Sequence, residues 1–350
     1  MTKIKRVEQW NLPAGCVPYV LRAGDSPGSV VFGQAVRIQA GEAQTNGAFT
    51  ICTVVGPKAD PIPQHFHEHE HDTFVCLRGQ LQLWTDDQSR VLTRGGFGNV
   101  PPGVKHGYAL RDHHTELVGL ISPGGFERFF AETGWSFDSS GYPMRDDEPP
   151  SPELIAAVGK KYDVHFVPDA TYADASSSEG DTVLPGNVQP YYLRPGAGER
   201  RVFGSIMATA MCRGVETDGR FGMCTLEGAR GATAHRITHS VEHNVLFVMD
   251  GVIDVTLGNE TYRLYPGDTA NIPAGTPYGL RMTGGDNRIL VFSEADVMWR
   301  LYDGCGNAWS AEIYPNAPTK VDLARVENTF AALGITRAEP VPQSGGRDHG

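Results

Sequence analysis

Apolar residues in this chain come in short bursts. AFTICTVV (48–55), QLQLW (80–84) and ELVGLI (116–121) are rich in β-branched, aromatic and leucine residues and are bounded by Gly, Pro, Asn or Asp. That is the pattern of strands ending in turns. Two segments switch to helical spacing. Ser151-Pro152-Glu153 offers a cap and a proline at the first helical position, after which Leu154, Ile155 and Val158 fall on one face. Asp322 opens the second, with Leu323, Val326 and Phe330 at helical spacing and a stop at Gly334. No run reaches the roughly 18 apolar residues of a membrane span, and the opening MTKIKRVEQWNLPAG lacks the apolar stretch of a signal peptide. A soluble, cytoplasmic protein built mainly of short strands is expected.

The bursts repeat at an offset of 172 residues. VPYVLRAG around Pro18 answers QPYYLRPG around Pro190, TNGAFTICT from Thr45 answers TDGRFGMCT from Thr217, and NVPPG from Asn99 answers NIPAG from Asn271. Phe32-Gly33 against Phe203-Gly204 reads as a slip of one residue. The expectation is two tandem copies of one domain, residues 1–164 and 189–336, each closing with one helix. A linker, 165–188, joins them and contains the polar run ADASSSEG; a disordered tail, 337–350, follows.

Composition supports this division. A chain of 350 residues is long enough for two cores, and Gly and Pro, at 42 and 24 residues, point to an all-β chain with many turns. The net charge of -11 repels phosphate backbones and anionic lipid heads, so neither nucleic acid nor membrane is an expected partner. The six cysteines form no CxxC pair and read as reduced, mostly buried thiols. A homodimer, the commonest assembly, is the default expectation for oligomeric state.

Candidate chemistry is concentrated in the first copy. QHFHEHEHDTF places His65, His67, His69 and His71 within seven residues, followed by Asp72. A His-x-His pair on a strand puts both imidazoles on one face, where a single metal ion can take both. Further on, Gly95-x5-Pro101-x-Gly103-xx-His106 frames a turn and brings in another histidine. His69, Glu70 and His71 read as exposed side chains of the turn between strands.

These two motifs resemble those of the cupin superfamily, G-x5-HxH-x3,4-E-x6-G and G-x5-PxG-xx-H. The leading glycine of the first is absent here, and Asp72 stands where the family has Glu. The resemblance implies two tandem cupin domains, each a jelly-roll β-barrel. It also implies a metal held by His65, His67, Asp72 and His106. One divalent transition metal is expected, whether iron, copper, manganese, nickel, cobalt or zinc. At the same offset the second copy has Ile237, His239, Asn244 and Tyr278, so it is expected to be a structural partner without metal. A substitute set of His235, His239, Glu242 and His243 is the alternative there.

Among two-domain cupins the chain is similar to the quercetin 2,3-dioxygenases, fungal members of which keep metal in the first cupin only. The residues that carry this are VPYVLRAG, GPKAD with PQHFH, TFVCLRGQLQLWTD and ISPGGFERFF. The resemblance implies a small aromatic substrate, a flavonol such as quercetin, whose heterocycle is opened with dioxygen and release of carbon monoxide. Asp72 would be the catalytic base, with Phe74, Tyr108 and Phe126 as candidate substrate-binding walls. Because Asp is one methylene shorter than Glu, the alternatives are an oxygenase of another phenolic or enolic compound, and a non-oxidative metal cupin such as a decarboxylase or isomerase. A binding module without catalysis is a third class, which the retained histidines oppose.

Overall fold

A computed structural model describes residues 5–6, 12–26, 28–137 and 150–339. Four antiparallel sheets make two similar barrels, each a large sheet facing a five-stranded one. In the first barrel the small sheet runs His165–Phe166, His65–Phe66, His106–Leu110, Leu81–Thr85, Gln88–Leu92. The second has the same arrangement in Ile335–Arg337, Thr233–His239, Tyr278–Met282, Ile253–Leu257 and Glu260–Leu264. All six cysteines are free and five are buried, while Cys16 is exposed. Among the described residues no helix is long and apolar enough to cross a membrane.

Both capped helices form as read. Pro152–Lys161 starts with Ser151 Oγ accepting from Leu154 N–H, and Leu323–Ala332 with the Asp322 carboxylate accepting from Arg325 N–H. Each copy also carries an earlier helix, Glu127–Thr133 and Val297–Cys305, soon after the long strands Thr115–Ser122 and Asp286–Glu294. Phe126, Phe129 and Phe130 cluster at the first of these helices with centroids 5.2–5.8 Å apart. The segment after the capped helix is also structured, since His165–Phe166 and Ile335–Arg337 each pair with the strand carrying the first motif's histidine positions. Residues 340–350 of the expected tail lie outside the described residues.

The slip is corrected as well. Gly28–Val31 and Gln34–Ala40 correspond to Arg200–Phe203 and Ile206–Cys212 at the unbroken offset of 172, so Phe32-Gly33 stands where the second copy has Gly204-Ser205.

The repeated YVL and YYL segments trade places. Tyr19–Leu21 pairs with Thr269–Ile272 of the second barrel, and Tyr191–Leu193 pairs with Phe97–Val100 of the first. Each strand is tied back by its tyrosine hydroxyl, Tyr19 to Gln39 O at 2.7 Å and Tyr191 to Met211 O at 2.8 Å. Strand alternation then serves two cores: on His71–Arg78, Phe74 and Cys76 point into the first barrel, while Val75 joins a core shared between the copies.

A buried histidine locks each exchanged strand. His71 Nε2 donates to Asn99 Oδ1 at 2.9 Å, and Asn99 Nδ2 donates to Gln189 O at 3.3 Å. Its counterpart His243 donates to Asn271 Oδ1 at 2.8 Å, and Asn271 Nδ2 reaches Val17 O at 3.0 Å. Burial holds the His71 pKa down to about 4. The unfolded chain, with histidine near 6.5, therefore takes up a proton first as pH falls. The neutral His71 contribution is complete above about pH 6.5 and is lost as pH falls toward 4. Replacing His71 with Ala should cost about 1–3 kcal/mol by leaving Asn99 short of a partner, and should flatten this pH dependence. Urea unfolding from pH 7 to 4.5 checks both; parallel curves for the two proteins would refute the assignment.

Candidate metal centre

His65 and His106 face each other across adjacent antiparallel strands, and His67 follows one residue beyond the short strand His65–Phe66. The ring centroids lie 4.4–5.3 Å apart, and one nitrogen from each ring falls within a 4.8 Å cluster. Each ring is oriented from behind by a backbone carbonyl. His65 Nδ1 donates to Pro63 O at 2.8 Å, His67 Nδ1 to Asp163 O at 2.8 Å, and His106 Nδ1 to Val104 O at 3.0 Å. A carbonyl only accepts, so Nδ1 carries the hydrogen and the neutral ring presents Nε2 as a lone pair.

Asp72 comes in from the neighbouring strand, with Oδ2 3.1 Å from His106 Nε2 and 3.5 Å from His67 Nε2. Bonds of about 2.1 Å to a shared cation place neighbouring ligand atoms about 3.0–3.4 Å apart, so these spacings fit one ion. His67 Nε2 and Asp72 Oδ1 are buried without a hydrogen-bond partner. Electrostatics agree. Burial disfavours charge on both residues, yet the Asp72 carboxylate raises the His67 pKa to about 9, and His67 and His106 hold Asp72 well below the usual carboxylate range. His65 is pushed down, first by burial and then by the other two rings. The field that keeps a proton on His67 is one that favours a divalent cation there.

The turn residues need correction. His69 is exposed as expected, but His71 is the interdomain lock and Glu70 is half-buried, its Oε2 3.7 Å from His67 Nδ1. Burial, then a hydrogen bond with Asp163, pushes the Glu70 carboxyl up to about 8. Asp163 clamps this turn, accepting from His69 N–H at 2.8 Å through its carboxylate. Arg220 of the second copy holds the same turn from the other side, donating to His69 O at 2.7 Å. Sequence reasoning missed both clamps, which are contributed from 94 and 151 residues away.

An aromatic-lined cavity opens on the cluster. Phe74, Tyr108 and Phe126 all line it beside His65, Asp72 and His106, together with Phe32, Phe129, Phe130 and Phe166. Among the described residues no Lys or Arg lines it.

The second barrel fills the equivalent space. Its cavity is smaller and is lined by Phe203, Met298, Tyr302 and Phe330. His239 Nε2 and Tyr278 OH lie 3.0 Å apart with their rings stacked, so the nitrogen that faces the cluster in the first barrel is taken up here. Among the described residues the set His235, His239, Glu242 and His243 is not brought together as a ligand group.

Comparison with known proteins agrees with this arrangement. The cupin domain family matches residues 53–119 and again 222–293. The chain is 25% identical over 330 residues to quercetin 2,3-dioxygenase of Bacillus subtilis, covering 94% of this chain and 98% of that one. With quercetin 2,3-dioxygenase of Aspergillus japonicus it shares 26% over 333 residues, covering 85% and 95%. Oxalate decarboxylase of Bacillus subtilis, a protein with Mn(II) centres, shares the fold at a TM-score of 0.53 and 12% identity, with 82% of each chain covered. With a cupin match in each half and likeness to quercetin dioxygenases along nearly its whole length, the chain is a quercetinase-like bicupin.

Proposed function

We propose that this protein is a metal-dependent dioxygenase that opens the heterocycle of a flavonol such as quercetin with dioxygen and releases carbon monoxide. The observation that carries the reading is the convergence of three carbonyl-anchored imidazoles and Asp72 at the wall of an aromatic cavity. His65, His67, His106 and Asp72 would hold one divalent transition ion. When bound, that ion supplies Lewis acidity for an enolate oxygen and an electron path to triplet dioxygen.

The residues of the chain do the rest. Asp72, with Oδ1 unpartnered, accepts the proton of the substrate hydroxyl and makes the ring electron-rich. Phe74 and Phe126 are flat walls for a planar ligand, and the apolar lining keeps bulk water from the anion. Among the described lining residues a small dicarboxylate finds no cation to pair with its second carboxylate, which weighs against a decarboxylase of small acids.

Oxygen uptake tests this on metal-analysed protein given quercetin and a panel of phenols and diketones, with His106→Ala as control. Uptake and carbon monoxide release with quercetin, absent in the control, are expected. Uptake with another compound only would move the substrate; anaerobic turnover would replace the reading with non-oxidative chemistry.

A further inference from the structure

We propose that Phe32, Gln34 and Tyr108 form a specificity subsite that reads a hydroxyl on a substrate ring remote from the metal-side oxygen. The assignment rests on reading the first barrel's cavity as the substrate pocket.

Tyr108 sits two residues beyond His106 on one strand, hence on the same face and about 7 Å along. Phe74 lies between them, its ring 6.2 Å from His106 and 5.7 Å from Tyr108. Tyr108 OH donates to Gln34 Oε1 at 2.9 Å. Gln34 is only 2% exposed, yet its Nε2 has no partner. Turning the amide over would satisfy Nε2 and orphan Oε1 instead, so either orientation leaves one end of Gln34 unmatched. A buried amide in this condition is destabilising unless something completes it.

The same corner is strained. Gln34 is reached through a two-residue turn in which Phe32 has φ 53 and Gly33 φ 72, and Phe32 lines the cavity. A left-handed backbone is unfavourable for a bulky L-residue, and such strain concentrates at functional sites.

The sister barrel provides a control within the molecule. Gly204, with φ 63, stands at the position of Phe32, Ile206 at that of Gln34, and Leu280 at that of Tyr108. Ile206 and Leu280 are buried, at 1% and 4% exposure, so this architecture packs well with an apolar corner and a glycine turn. Barrel packing therefore does not call for the polar pair or the strained aromatic. They occur only in the barrel that has the histidine cluster. The chemistry the corner offers is neutral: Tyr108 lines the cavity and its oxygen can accept, while Gln34 behind it has an amide N–H still to be matched, a pairing that fits one hydroxyl of a polyphenol and suits neither a carboxylate nor a hydrocarbon ring edge.

The test compares two ligands that share a ring system, quercetin and 3-hydroxyflavone, the latter lacking the remote hydroxyls. Anaerobic titration of the metal-loaded protein, followed by ligand fluorescence, gives two dissociation constants without turnover. Quercetin should bind about 10–100 times more tightly, and the double variant Gln34→Ile, Tyr108→Leu, copied from the sister barrel, should bring the ratio to within about threefold of unity. Should the double variant fail to fold, Tyr108→Phe decides, with an expected drop in the ratio of at least about fivefold. A wild-type ratio near one, or a ratio unchanged in the variant, overturns the subsite while leaving the flavonol reading intact. Binding of neither ligand to wild type overturns both.

Discussion

Replacing Asp72 with Ala lowers turnover by about 100-fold or more, the usual magnitude for loss of a positioned base. The carboxylate has two separable duties, and its two oxygens divide them. Oδ2 lies against His106 and His67, in the position of a ligand, whereas Oδ1 is buried without a partner and is the atom free to take a proton. Asp72→Asn separates the duties: it keeps the shape and removes most of the basicity, so kcat should fall by a similar factor with KM little changed. Asp72→Glu restores the side chain of the cupin motif and should recover at least about a tenth of wild-type turnover. Metal analysis accompanies each assay. Unchanged turnover in Asp72→Ala with metal retained would remove the base from the mechanism.

His67→Ala abolishes both metal binding and oxygen uptake, whereas His239→Ala, the same position in the second barrel, changes neither. Losing a ligand removes a bond to the ion itself, so the effect should exceed the roughly 10–100-fold loss of affinity that follows loss of a supporting partner. His67 also stands between Asp72 and the Asp163 carbonyl. His239 instead shares a hydrogen bond with Tyr278, in a barrel whose cavity is smaller. Metal content by mass spectrometry, from about one ion per chain to almost none in His67→Ala, is the deciding measurement. Metal lost equally from His239→Ala would place an ion in the second barrel.

Legibility in the sequence followed the range of the interactions. The 172-residue repeat, the caps at Ser151 and Asp322, and the spacing of His65, His67, Asp72 and His106 are local signals, and the structure places these four side chains together. The exchange of Tyr19–Leu21 and Tyr191–Leu193 was illegible because a short apolar strand carries no mark of whose sheet it joins. His71 was misread because three neighbouring histidines suggested a polar turn. A signal was present: His71 and His243 persist at the repeat offset, with Asn99 and Asn271, while three of the four ligand positions change. What both copies keep is the lock between them, and what only one keeps is chemistry. The Phe32 turn was hidden for another reason, since aligning its phenylalanine with Phe203 satisfies residue identity but breaks the strand register.

The traded strands also set a timetable for synthesis. Tyr19–Leu21 leaves the ribosome early, but its partner Thr269–Ile272 is about 250 residues further on. At about 5–20 residues per second, that strand waits on the order of 10–50 seconds with its backbone unpaired. The first barrel likewise lacks its edge until Tyr191–Leu193 emerges. Two nascent chains held close together during that interval can each complete the other's sheet, and the by-product of crowded expression should be an intertwined dimer with native barrels.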